Sequence, residues 1–182
     1  IGVRLTSGSD HILLVTHKGM SVHFDENNAR SQGRVSMGVR GIRIADDDFV
    51  VALAVATAGA TLLIASENGI GKRSPFEDYR KTFRGGKGVK AMNVTEKSGP
   101  LIGAVTVTDT DELMLMTSSG QSIRIRVADI RETGRVTQGV KLLTLKSNEK
   151  LQDISIVIPD GEDSENGTTS DVEDETPISE ES

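Results

Sequence analysis

The chain has 182 residues, a formal net charge of −6, 3% aromatic residues and neither Cys nor Trp. The absence of Cys excludes a disulfide-stapled scaffold, thiol catalysis and Cys-ligated zinc or iron–sulfur sites. No apolar run approaches the roughly 20 residues of a membrane helix, and Ile1-Gly2-Val3-Arg4 is neither a signal peptide nor an initiator Met. The expectation is a soluble chain cut from something longer.

The charge is unevenly placed. Ten acidic residues and no Lys or Arg lie between Asp160 and Ser182. Residues 1–159 therefore hold 21 basic against 17 acidic residues, a formal +4. Residues 160–182 carry few large apolar side chains and are expected to be a disordered acidic tail. Tethered carboxylates of this kind are expected to compete with phosphate for the basic body.

Self-similarity dominates residues 1–159. Ile12–Ile44, Leu62–Val94 and Leu113–Leu145 align almost without gaps, at a period of about 50 residues. In chain order, residues 1–9 match the segment that ends each unit, Ile1-Gly2 aligning with Ile102-Gly103. They are predicted to be the last strand of a truncated preceding blade. The first blade, 10–58, opens with the apolar strand Ile12–Thr16 and a turn at Lys18-Gly19. A second strand, a polar loop, and third and fourth strands about Asp46-Asp47-Asp48 follow. The second blade, 59–108, repeats this with Leu62–Ala65, Asn68-Gly69 and a turn at Glu96-Lys97-Ser98-Gly99. The third, 109–159, does so with Leu113–Thr117, Ser119-Gly120 and Ser147-Asn148-Glu149-Lys150. In its second strand Ile123, Ile125 and Val127 alternate with Arg124 and Arg126, which is a strand period of two. Four strands per repeat of this length is propeller-blade arithmetic. The predicted fold is all-β, an incomplete disc of propeller- or pinwheel-like blades.

Basic residues fall in register on the long loop of each unit. Arg30, Arg80 and Arg131 form one column, Arg34, Arg84 and Arg135 a second, and Arg40, Lys90 and Lys141 a third. A solubilising surface, or Arg stems packed on blade edges, accounts for any one of them. A charge repeated blade by blade fits a periodic polyanion. Single-stranded nucleic acid is gripped by stacked aromatics, and this body holds only Tyr79 and four Phe, which favours a duplex backbone. Glycines in Arg84-Gly85-Gly86-Lys87-Gly88 are expected to bring backbone N–H groups close to phosphates. No helix is predicted that could enter a major groove. The expected mode is sequence-tolerant contact along a curved rim that bends the duplex. Lys72, Arg73, Lys87, Arg124 and Arg126 are further candidates for DNA contact.

Gly38–Ile44, Asn68–Arg73, the run RGGKGV at Arg84–Val89, and Thr137-Gln138-Gly139-Val140 with an acidic tail behind it resemble the C-terminal domain of bacterial DNA gyrase A. The resemblance covers residues 1–159 in order. It implies the last three blades of a six-bladed, DNA-wrapping β-pinwheel. Thr82–Gly88 (TFRGGKG) is similar to the last five positions of that family's QRRGGKG box, with Thr82 and Phe83 replacing Gln and Arg. The resemblance further implies an ATP-dependent type II topoisomerase that introduces negative supercoils into closed circular DNA. Its implied assembly is an A2B2 complex with gyrase B, using ATP and Mg2+, in the bacterial cytoplasm at the nucleoid. No cofactor is expected within residues 1–182 themselves. The corresponding C-terminal domain of topoisomerase IV and a propeller-like protein-interaction module remain alternative readings.

No catalytic constellation is legible. Tyr79 sits in Glu77-Asp78-Tyr79-Arg80, the wrong context for a topoisomerase nucleophile, which the resemblance places in an N-terminal region outside this sequence. His11, His17 and His23 flank one hairpin without convergent metal ligands. Asp46–Asp48 and Asp109–Glu112 fall between strands, where Asp suits turn geometry. Gly69-Ile70-Gly71-Lys72 lacks the earlier Gly of a phosphate-binding loop.

Overall fold

In the first repeat β1 (His11–Thr16) and β2 (Met20–Asp25) form an antiparallel hairpin, and β3 (Val50–Ala56) pairs with the other side of β1. The turn between β1 and β2 is closed by Gly19 at φ +84°, a conformation that favours Gly. The second repeat gives β4 (Thr61–Ser66), β5 (Ile70–Pro75), a two-residue β6 (Val89–Lys90) and β7 (Leu101–Val107). The third gives β8 (Glu112–Thr117), β9 (Ser122–Arg126), β10 (Val140–Lys141) and β11 (Leu151–Ile156). A single turn of 3-10 helix follows each second strand, at Glu26–Asn28, Phe76–Asp78 and Val127–Asp129. This computed structural model describes residues 2–157. Ile1 and the acidic segment 160–182, expected to be disordered, lie outside the described residues.

Sheet order corrects one sequence-level expectation. The third strands of the second and third repeats do not stay in their own blades, and the third strand expected in the first repeat does not form, since residues 29–49 join no ladder. The orders are β3-β1-β2-β6, β10-β5-β4-β7 and β11-β8-β9. Thus β6 of the second repeat completes the first sheet through Met20↔Lys90 and Ser21↔Val89, and β10 of the third completes the second through Ile70↔Lys141 and Gly71↔Val140. Gly88 (φ +77°) and Gly139 (φ +88°) make this possible, since a Cβ on either would strike the carbonyl of Ser21 or Gly71. The expected closing strand at residues 1–9 is also absent, because residues 2–7 join no ladder. In the three sheets this strand pairs with the first strand of its own unit.

The sheets pack face to face in sequence order. One core layer joins Leu13, Val15, Ala52 and Ala54 of the first sheet to Leu62, Ile64, Leu101 and Ala104 of the second. The other joins Leu63, Ala65 and Val107 to Leu113, Leu115, Leu151 and Ile154. This explains why β4 reads as the continuous run Leu62-Leu63-Ile64-Ala65. Its alternate residues face two different cores, so both faces are apolar. In β8, by contrast, Leu113 and Leu115 are buried while Met116 is exposed. The strands β3, β7 and β11 pack against one another, so β6 and β10 lie on the opposite, outer edge of their sheets.

Candidate nucleic-acid interface

The outer edge carries the basic columns, and the columns behave differently. Lys90 and Lys141 are the exposed second residues of β6 and β10, with Val89 and Val140 half-buried beside them. Arg30, Arg80 and Arg131 each stand two residues after the 3-10 turn of their repeat, so the same local geometry displays them. All five, with Arg34, Arg40 and Lys87, are exposed. None forms an ion pair among the described residues.

The middle column does something else. Arg84 Nε donates to Asn28 O (2.7 Å) and its Nη1 to Arg40 O (3.0 Å). Arg135 repeats this one unit later, Nε to Asp78 O (3.0 Å) and Nη1 to Lys90 O. Asn28 and Asp78 are equivalent positions, as are Arg40 and Lys90. These guanidiniums therefore staple each rim loop to the preceding repeat, and both side chains are only half exposed. The adjoining backbone is bonded in the same way, Thr82 N to His23 O (2.8 Å) and Thr133 N to Arg73 O (2.9 Å). The Gly85 N–H, expected to face phosphate, is committed to Gly41 O at 2.5 Å.

Two further candidates are corrected outright. Lys72 is fully buried, its ammonium donating to Gly134 O at 3.1 Å and to Arg135 O. Burial, with the Arg135 charge beside it, brings its pKa down to about 8. Arg73 is 8% exposed; its Nε donates to Ile130 O at 2.6 Å and its Nη1 pairs with Asp109. Both hold the third repeat against the second and face no solvent edge. The alignment held a signal for Lys72, since its column otherwise contains Val22 and Ile123, an inward-facing pattern. Arg124 and Arg126 are exposed but paired, with Glu112 (Nε–Oε2 2.7 Å) and Asp129 (Nε–Oδ2 3.0 Å). Tyr79 is 1% exposed within the core between the first two sheets, and burial pushes its phenol up to about 12.

The alignment did not single out a cluster where the first two sheets meet. His23 Nδ1 donates to Tyr79 O (2.8 Å), the carbonyl equivalent to the Ile130 O that Arg73 engages. The His11 and His23 rings meet edge to face at 5.3 Å, and Lys81 Nζ donates to His11 Nε2 (3.1 Å). Burial lowers the pKa of His23. No group of three or more His, Cys, Asp or Glu suited to a metal occurs among the described residues.

Comparison with known proteins agrees with this architecture. The family described as DNA gyrase C-terminal domain, beta-propeller, matches residues 10–57, 60–108 and 111–158. The DNA gyrase A protein of Staphylococcus aureus (strain NCTC 8325 / PS 47) is 42% identical over 168 residues, covering 91% of this chain and 19% of that protein. Its counterpart in strain MRSA252 is 40% identical, covering 97% and 22%. The chain thus spans about a fifth of the length of these curated relatives. Among solved structures, the C-terminal domain of DNA topoisomerase IV superposes with a TM-score of 0.80 at 26% identity, over 86% of this chain and 49% of that one. The DNA gyrase A C-terminal domain superposes at 0.78 and 26%, over 84% and 52%.

Proposed function

We propose, from the premise that this chain belongs to the DNA gyrase C-terminal domain family, that its outer edge binds and bends double-stranded DNA as part of a gyrase A protein. The observation that carries this reading is the pair of unpaired, exposed columns, Arg30/Arg80/Arg131 and Arg40/Lys90/Lys141, with Lys87 between them. Lys90 and Lys141 stand on the edge strands β6 and β10, Arg30, Arg80 and Arg131 just after the 3-10 turns, and Arg40 and Lys87 in the loops between. Such an edge can follow a phosphate backbone without reading bases, so selectivity comes from how easily the duplex bends. The middle column contributes indirectly, because Arg84 and Arg135 fix the loops that present the other two.

In the whole protein, the bent segment is delivered to a strand-passage gate elsewhere in the assembly. ATP-driven negative supercoiling, with Mg2+ at the cleavage centre and an A2B2 complex with gyrase B at the cytoplasmic nucleoid, follows from this reading. No residue of the present chain is given a catalytic role. The topoisomerase IV reading draws on the similar superposition of that domain; it expects duplex binding without gyrase-type supercoiling by the whole enzyme.

The test is duplex binding across a salt series, with end-to-end distance followed by energy transfer between labels. Neutralising roughly six to nine phosphates gives a slope of log K against log salt of about −5 to −8. Replacing Lys90 or Lys141 by Gln is expected to make it shallower by about 1 each, with the urea midpoint unchanged. Arg84→Ala and Arg135→Ala are expected to lower the midpoint. A slope shallower than about −2, or DNA ends that stay apart, overturns wrapping by this edge.

A further inference from the structure

The two junctions between sheets are built on one backbone plan but filled with opposite charge. In the second, Arg73 pairs with Asp109, and the next loop brings Glu132 alongside through a backbone β-bridge to Arg73. In the first, the same positions hold His23, Ala58 and Lys81, with Lys81 bridging to His23. Cation, carboxylate and carboxylate become His, Ala and Lys. Where the ion pair stands in the second junction, the first has a cavity of about 380 Å³ lined by His11, His23, Ala58, Arg80 and Lys81 among others. His23 is 2% exposed, and its Nε2, like His11 Nδ1, is buried without a hydrogen-bond partner.

Two carboxylates stand near this cluster without pairing directly with its cations. Glu77 lines the cavity yet forms no ion pair among the described residues. Asp25, on the same strand as His23 and opposite His11, accepts from the backbone and side chain of Asn27, at 2.8 and 2.9 Å. Arg80 and Lys81 likewise have no acidic partner there. The frame that holds an ion-paired carboxylate in one junction thus presents two cations, two imidazoles and the unpaired Glu77 around an open space in the other.

We infer that this cavity is a binding site for an oxyanion of the phosphate class, held by Lys81, Arg80 and His11 in the place that the Asp109 carboxylate takes one repeat later. Two sources share this chemistry, a backbone phosphate of a bound duplex and free phosphate. The inference does not depend on the DNA reading, because the free ion satisfies the site as well.

The experiment uses the 182-residue chain and follows thermal unfolding and the histidine ring NMR signals. Sodium phosphate is compared with sodium chloride at equal ionic strength. Phosphate at about 10 mM is expected to raise Tm by about 2–4 °C over chloride and to move the His11 and His23 signals. Ala58→Asp supplies the carboxylate internally; it is expected to raise Tm without phosphate and to weaken the phosphate response at least about fivefold. Should that variant fail to fold, Lys81→Gln is expected to weaken phosphate about tenfold. A short duplex separates the sources. Signals that move with duplex, and a salt slope about 1 shallower in Ala58→Asp, identify a backbone phosphate; signals that move with phosphate alone identify the free ion. If neither probe moves the signals and phosphate protects no better than chloride, the inference is overturned. Loss of duplex binding with the phosphate response intact defeats only the DNA reading.

Discussion

Between the second and third sheets, Arg73 extends from Ile130 O to Asp109 and Lys72 reaches the carbonyls of Gly134 and Arg135. Between the first and second, the same strand positions hold His23 and Val22, and Ala58 replaces Asp109. The backbone contacts are nevertheless alike, Thr82 to His23 and Thr133 to Arg73, Ala91 to Gly19 (2.7 Å) and Leu142 to Gly69 (2.9 Å). Main-chain pairing and glycine geometry therefore define how blades join. The side chains at the seam are free to vary and decide how tightly, and in which pH range, the join holds.

Breaking the shared plan has the largest expected effect. Gly139→Ala places a methyl 2.6 Å from Gly71 O at a φ of +88°, and is expected to cost roughly 3 kcal/mol. Gly38 has nearly the same φ, +79°, but nothing within 4 Å of its would-be Cβ. Gly38→Ala should cost only about 1 kcal/mol, the strain of the left-handed backbone alone. Urea midpoints of the two variants check this, and equal losses would mean that the docked glycine is not a close-packing position.

Breaking one seam at a time comes next. Arg73→Leu leaves Ile130 O and Asp109 without their cation and is expected to cost roughly 2–3 kcal/mol. His23→Leu removes a single hydrogen bond beside an existing cavity and is expected to cost about 1 kcal/mol. A ratio of unfolding free energies near one would show that the charged seam adds nothing over the uncharged one.

The remaining effects come with pH, and they oppose each other. Lys72 titrates at about 8 in the folded chain against 10.5 ordinarily, so the unfolded state binds more protons between these values. Stability should rise with pH from about 8 to 10, and Lys72→Met should flatten that rise. Above 10 the trend reverses, because Tyr79, raised to about 12, keeps its proton when folded and loses it when unfolded. On the acid side the lowered pKa of His23 means that its seam loses stability as pH falls through the ordinary histidine value of 6.5. His23→Leu should remove this acid loss while leaving the Lys72 rise untouched.

The sequence made the hairpins and the period legible because the strand alternation and the Gly turns are local signals. Leu113 and Leu115 against Met116, and Gly19, Gly69 and Gly120 at one turn position, are enough to place them. The exchange of β6 and β10 was not legible. Each is a two-residue ladder whose partner lies about 70 residues earlier, at Met20 or Ile70, and nothing in Val89-Lys90 names its partner. For the basic residues, register marks the columns but does not separate what each side chain touches. Arg84 and Arg30 look alike in an alignment, and only the position of Asn28 O and Arg40 O makes one a staple and the other a free cation. Lys72 and Arg73 were misread because charge was taken as exposure, although an apolar column at Lys72 pointed inward.

The handover of an edge strand also has a mechanical meaning. Lys90 belongs to the second repeat in sequence but is hydrogen-bonded to the first sheet. On the proposed DNA reading, a bent duplex straining to straighten would pull on Lys90 and so load the Met20↔Lys90 ladder and the loop secured by Arg84 together. Tension from one contact would thus be shared by two neighbouring sheets, and neither the second nor the third repeat can be peeled away without taking the margin of the one before it.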